Sequence, residues 1–119
     1  MKIANLTQHA ATPAQVDAGV FDLLTDEQKN ELLNFDVIPK HVDLFNHAFA
    51  LATIAKKSGA DAAMIGGAPY LMGVLEGTLK IAGIKPLYAF SKRNSVDVHN
   101  ADGTVSKKVV FEHLGFFEP

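Results

Sequence analysis

Residues 62–83 read AAMIGGAPYLMGVLEGTLKIAG. Four apolar residues run into paired glycines, and after Pro69 the residues Leu71, Leu75, Leu79 and Ala82 recur on one helical stripe. The pattern predicts a buried strand that turns tightly into an amphipathic helix. Pro69 suits the first helical turn, where its missing N–H has no partner to lose. Gly66-Gly67 has two readings here. Its backbone N–H groups can hold an anion at the start of a helix, or the glycines only supply a positive φ for the turn. Gly73 and Gly77, four residues apart, read as a close-packing stripe, and Glu76 with Lys80 as a surface ion pair.

Upstream, KIANL predicts an opening strand, although Asn5 weakens its apolar pattern. Thr12-Pro13-Ala14-Gln15 and Thr25-Asp26-Glu27-Gln28 both carry capping-box spacing, so each starts a helical piece, with Gly19 ending the first. The longest helical stretch opens at Pro39. Val42, Phe45, Phe49 and Ala52 form one apolar row, and Leu44, Ala48, Leu51 and Ala55 an adjacent one, together wide enough to cover a sheet. Lys56, Lys57 and Gly59 close it.

Downstream, IKPLYAFS reads as a third strand, and residues 95–118 as two extended runs around a turn at Asn100-Ala101-Asp102-Gly103. Strand, helices, strand, helix, strand and hairpin make an α/β order. The expectation is one domain over residues 1–119: a small Rossmann-like, mainly parallel sheet with flanking helices and a C-terminal antiparallel hairpin.

Composition narrows the function classes. The 119 residues are 48% hydrophobic and 20% charged, which fits one folded core. A net charge of −2 argues against a broad duplex nucleic-acid footprint. There is no cysteine, so disulfides and thiolate chemistry are excluded. No apolar run reaches bilayer length, and MKIANLTQHA lacks a signal-peptide core. A cytoplasmic protein without membrane contact is expected.

Ligands of open parallel sheets bind outside the carboxyl ends of the strands. Those ends are expected at Thr7-Gln8-His9, Gly66-Gly67-Ala68 and Ser91-Lys92-Arg93, which offer hydroxyl, amide, imidazole, backbone N–H and cationic groups to a small phosphate-bearing ligand. GGAP matches neither G-x-G-x-x-G nor the P-loop pattern. His9 lies in a polar strand-end loop, where an imidazole serves as general acid or base or simply bonds a carbonyl. Ser91-Lys92-Arg93 reads equally as a phosphate clamp or a solvated strand exit. His41 and His47 are six residues apart, the wrong spacing for one helix face, so no metal site and no cofactor are expected. Ser91 lacks a Gly-x-Ser-x-Gly elbow. Lys107-Lys108 reads as a charged sheet edge.

The stretches NLTQHAATPAQ (5–15), AMIGGAPYLM (63–72) and GIKPLYAFSKRNSV (83–96) together resemble a group of small, uncharacterised bacterial proteins of mobile-element or prophage context. More distantly, the polar turn with histidine and T-P-x-Q is similar to compact CRISPR-associated Rossmann-fold (CARF) proteins of the ring-nuclease type, which bind and cleave cyclic oligoadenylate. That resemblance implies a homodimer with the ligand across its two-fold axis, contacted by Thr7, Gln8 and His9, with Gly66 and Gly67 as backbone donors. The further basic or threonine-bearing motif of those proteins has no counterpart here, and Lys92 and Arg93 only stand in its position. The leading expectation is a dimeric nucleotide-binding protein that cleaves a cyclic oligonucleotide without metal. Its alternatives are a non-catalytic interaction or accessory protein of a mobile element, and a small-metabolite enzyme using the same rim.

Overall fold

A computed structural model describes residues 1–119. β1 (Ile3–Asn5) leads through α1 (Pro13–Asp17) to β2 (Val20–Asp22). Next come α2 (Asp26–Leu33), α3 (His41–Lys57), β3 (Ala62–Ile65), α4 (Pro69–Ile81), β4 (Lys85–His99) and β5 (Val105–Phe117). The five strands form one sheet in the order β2-β1-β3-β4-β5, the first four parallel and β5 antiparallel to β4. The α/β class and the C-terminal antiparallel pair match the sequence reading. β2 does not figure in it, because three residues are too few for alternation to show.

Both capping boxes form. Thr12 Oγ1 accepts the Gln15 N–H at 3.2 Å while Gln15 Oε1 accepts the Thr12 N–H at 3.0 Å. Thr25 and Gln28 repeat the exchange at 3.1 and 2.9 Å. α3 begins at His41 rather than at Pro39, and the Asp43 carboxylate accepts the Lys40 N–H at 2.9 Å.

Strand order decides where a site can lie. The chain steps from β1 to β2 in one direction, then returns past β1 to β3 and goes on to β4. Ala11, just before α1, joins the smaller apolar cluster of Ile3, Val20, Ala62, Met64 and Leu87. α3 and α4 supply most of the larger cluster on the other face, where Leu44, Leu51, Leu75 and Leu79 cover Ala4, Ala63 and Ile65. The segments leaving β1 and β3 therefore part to opposite faces, which opens a crevice at the carboxyl ends of those two neighbours.

Four local expectations change. The row of Leu44, Ala48, Leu51 and Ala55 is buried, but Val42, Phe45 and Phe49 of the adjacent row are more than half exposed. A helix lying on a sheet buries one stripe, and that pair of rows is wider than the contact. A Cβ added at Gly73 or Gly77 would meet nothing within 4 Å, so neither glycine serves close packing. Glu76 does not pair with Lys80; its carboxylate accepts the Tyr88 hydroxyl at 2.6 Å. Last, the strand expected to stop near Ser91 continues to His99.

β3 pairs with β4 only as far as Tyr88. From Ala89 onward β4 is paired with β5 alone, and the two strands leave the body as a ribbon closed at Asn100–Thr104. This arm stretches the molecule to 57 × 35 × 25 Å and its radius of gyration to 16.9 Å, against about 13.5 Å for a compact chain of this length. No helix is long and apolar enough to cross a membrane.

Candidate functional site

The β1 exit is organised by Asn5, a side chain only 2% exposed. Its Nδ2 donates to the His9 carbonyl and to Asp22 Oδ1, both at 2.8 Å. Its Oδ1 accepts the Thr7 N–H at 2.9 Å and the Thr7 hydroxyl at 2.7 Å. Asp22 Oδ1 also accepts the Ala11 N–H at 2.9 Å. The Ala11 N–H, then the Asn5 amide, hold the Asp22 carboxyl below its usual range. A buried amide with all these partners satisfied fixes the loop from Thr7 to Ala11 as one rigid turn.

Across the crevice stands the β3 exit. Gly67 has φ +149°, a conformation that favours glycine, whereas Gly66 is conformationally ordinary. The N–H groups of Gly66, Gly67 and Ala68 donate to no acceptor in the chain. Gly66 and Gly67 line a cavity of about 570 Å³ whose other walls include Thr7, Gln8 and His9. Its third wall comes from Tyr88 and Ala89 of β4 and Phe111 of β5.

The structure thus brings together five of the eight residues singled out from the sequence. Thr7 lends its hydroxyl proton to Asn5, so it shapes the loop and keeps only acceptor capacity for a ligand. Gln8 Nε2 donates to Asn34 Oδ1 and ties this loop to the end of α2. The His9 ring carries no hydrogen bond within the chain and faces the cavity from an exposed position. Ser91, Lys92 and Arg93 are not at a strand end. They lie exposed along the first strand residues of the arm, outside the cavity walls.

Sequence reasoning missed Asn5, Asp22, Tyr88 and Phe111. Asn5 left a signal, since a polar residue in a short apolar strand marks a buried hydrogen-bonding hub. Tyr88 and Phe111 left none, because their place depends on strand pairing. Desolvation, then the hydrogen bond and charge of Glu76, push the Tyr88 phenol up to about 12. His113, at the base of the arm, packs edge-on against Phe116 at 5.0 Å, and its buried Nδ1 has no partner. No three histidine or carboxylate side chains cluster as metal ligands would.

Comparison with known proteins places the chain. The model of the "Uncharacterized protein MJ1673 family" matches residues 1–117, the body and the arm alike. The chain belongs to that family. No curated protein and no solved structure matches it. Membership in the MJ1673 family thus covers the crevice and the ribbon together, and assigns neither of them a chemistry.

Proposed function

We propose that this member of the MJ1673 family is a nucleotide-binding protein whose site is the crevice between the β1 and β3 exits. One observation carries the reading: three consecutive backbone N–H groups, Gly66 to Ala68, have no acceptors of their own, and Gly66 and Gly67 line a cavity of about 570 Å³. Successive amide hydrogens in a concave turn attract phosphate oxygens. The rigid Thr7–Ala11 loop closes the opposite wall.

The proposal extends to a metal-independent nuclease acting on a cyclic oligonucleotide such as cyclic oligoadenylate. In the reaction a ribose 2′-oxygen bonds to the adjacent phosphorus while the bond to the 5′-oxygen breaks. The products are a 2′,3′-cyclic phosphate and a 5′-hydroxyl. His9 takes the 2′-hydroxyl proton, and solvent returns one to the leaving oxygen. The free amides stabilise the charge growing on the phosphoryl oxygens. This carries forward the distant likeness to CARF ring nucleases, together with a cytoplasmic setting and a homodimer. The arm supports the dimer, because a two-stranded ribbon without a third strand or a helix is marginal alone in water.

A thermal-shift series with cyclic oligoadenylates, mononucleotides and dinucleotides tests the binding. A raised midpoint is expected with at least one of them. Turnover should survive chelator and fall on His9→Ala; an unchanged rate removes His9 from the chemistry.

The free edges of the arm favour a second reading, a non-catalytic accessory protein that pairs with a partner strand. Capture of a partner through the arm, with no nucleotide shift, would establish it instead.

A further inference from the structure

The crevice does not end at the glycine turn. Gln8, Gly66 and Gly67 also wall a second cavity of about 260 Å³. Phe35 and Tyr70 wall that cavity and a third of about 630 Å³. These shared walls set the three side by side as a trough along the carboxyl edge of the sheet, from His9 past the glycine turn to the loop between α2 and α3.

Its far end is aromatic and held from behind. The Phe35 ring lies nearly parallel to the His47 imidazole, 4.7 Å between centroids and 16° between planes. His47 Nδ1 is in turn anchored at 3.1 Å to the Leu32 carbonyl oxygen. Tyr70 meets Phe35 edge-on at 5.8 Å and 62°. Yet Tyr70 is 53% exposed, and its hydroxyl has no partner in the chain. A flat ring fixed along one side and wet on the other is a stacking platform for a planar group.

We infer that Tyr70, backed by Phe35, binds a nucleobase. The ligand is then at least one base together with one phosphodiester, laid along the trough. Tyr70 follows Gly67 by three residues, at most about 10 Å of chain, a separation that the sugar between a phosphate and a base can bridge. This inference rests on the phosphate reading of the Gly66–Ala68 amides.

The test uses the full chain with the dinucleotide ApA, and inorganic phosphate as the base-free probe. The chain has no tryptophan and two tyrosines, so a Tyr88→Phe variant leaves Tyr70 as its only tyrosine emitter. ApA should quench that emission. Tyr70→Ala should weaken ApA about ten- to a hundredfold, the range for one lost base stack, and leave phosphate affinity unchanged. Tyr70→Phe should keep ApA affinity within about twofold. Equal ApA affinity in wild type and Tyr70→Ala, or unquenched emission from a Tyr88→Phe variant that calorimetry shows still binds ApA, overturns the base subsite alone. If ApA binding needs Tyr70 but phosphate neither binds nor competes, the amide reading falls and the base subsite stands. If neither probe binds, both fall.

Discussion

The body and the arm of this protein are built on opposite terms. All 24 buried residues lie between Ile3 and Leu87, and none lies in the ribbon. The body spends its apolar residues on two clusters, one on each face of the sheet. Along the arm, Val96, Val98, Val105, Val109 and Phe111 stay between 37% and 72% exposed. Both regions are held by backbone hydrogen bonds, yet only one has a core. Backbone hydrogen bonds can thus extend a strand well beyond the point where side-chain burial supports it, since pairing satisfies the main chain whether or not anything covers the side chains.

The sharpest way to break this contrast is a matched pair of truncations. Leu75→Ala, at a wholly buried position, should cost about 2–5 kcal/mol in urea unfolding. At protein concentrations where the chain is monomeric, Val105→Ala, 55% exposed on the arm, should stay within ~0.5 kcal/mol. A Val105→Ala cost near that of Leu75→Ala, with a midpoint that rises with protein concentration, would mean that another chain covers the ribbon in solution.

At the body's rim, Gly67→Ala meets a forbidden φ and should cost about 1–3 kcal/mol. Gly66→Ala finds its nearest neighbour, Thr7 Cγ2, at 3.8 Å, and should leave folding within ~0.5 kcal/mol of wild type. Equal costs at the two positions would mean that Gly66 is also constrained by the turn. Gly77→Ala, on the open face of α4, should raise stability by about 0.5–1 kcal/mol, because alanine restricts the unfolded chain and suits a helix. A loss there would show that the face is packed in solution.

The smallest effects are pH-dependent. The Tyr88 pKa is raised from 10 to about 12, so its contribution is complete below pH 10 and disappears as pH rises through about 12. Tyr88→Phe should flatten alkaline unfolding over that window. The Asp22 pKa is lowered, so its contribution is present above about pH 4 and is lost as pH falls through the folded value. Asp22→Asn should make acid unfolding shallower, and an unchanged acid limb would remove the carboxylate from the loop's support.

How far the site was legible follows from distance along the chain. Thr12–Gln15 and Thr25–Gln28 were readable because a capping box closes within four residues. Gly66-Gly67 announced its turn for the same reason. Whether its amides were already occupied depended on what folds against them. Ser91, Lys92 and Arg93 read as a strand exit because polar residues follow an apolar run. β5 pairs alongside and carries the strand on, so those side chains end up on the arm. Phe35 and Tyr70 are 35 residues apart and meet only because the loop between α2 and α3 folds against the start of α4.

The sequence by itself determined the α/β class, the helix starts and the glycine turn, all of them products of local sterics and short-range hydrogen bonds. The strand order, the crevice where β1 and β3 part company and the reach of the arm were decided by tertiary structure alone. Those features depend on which segments pair across the sheet, and pairing energies belong to two stretches of chain at once.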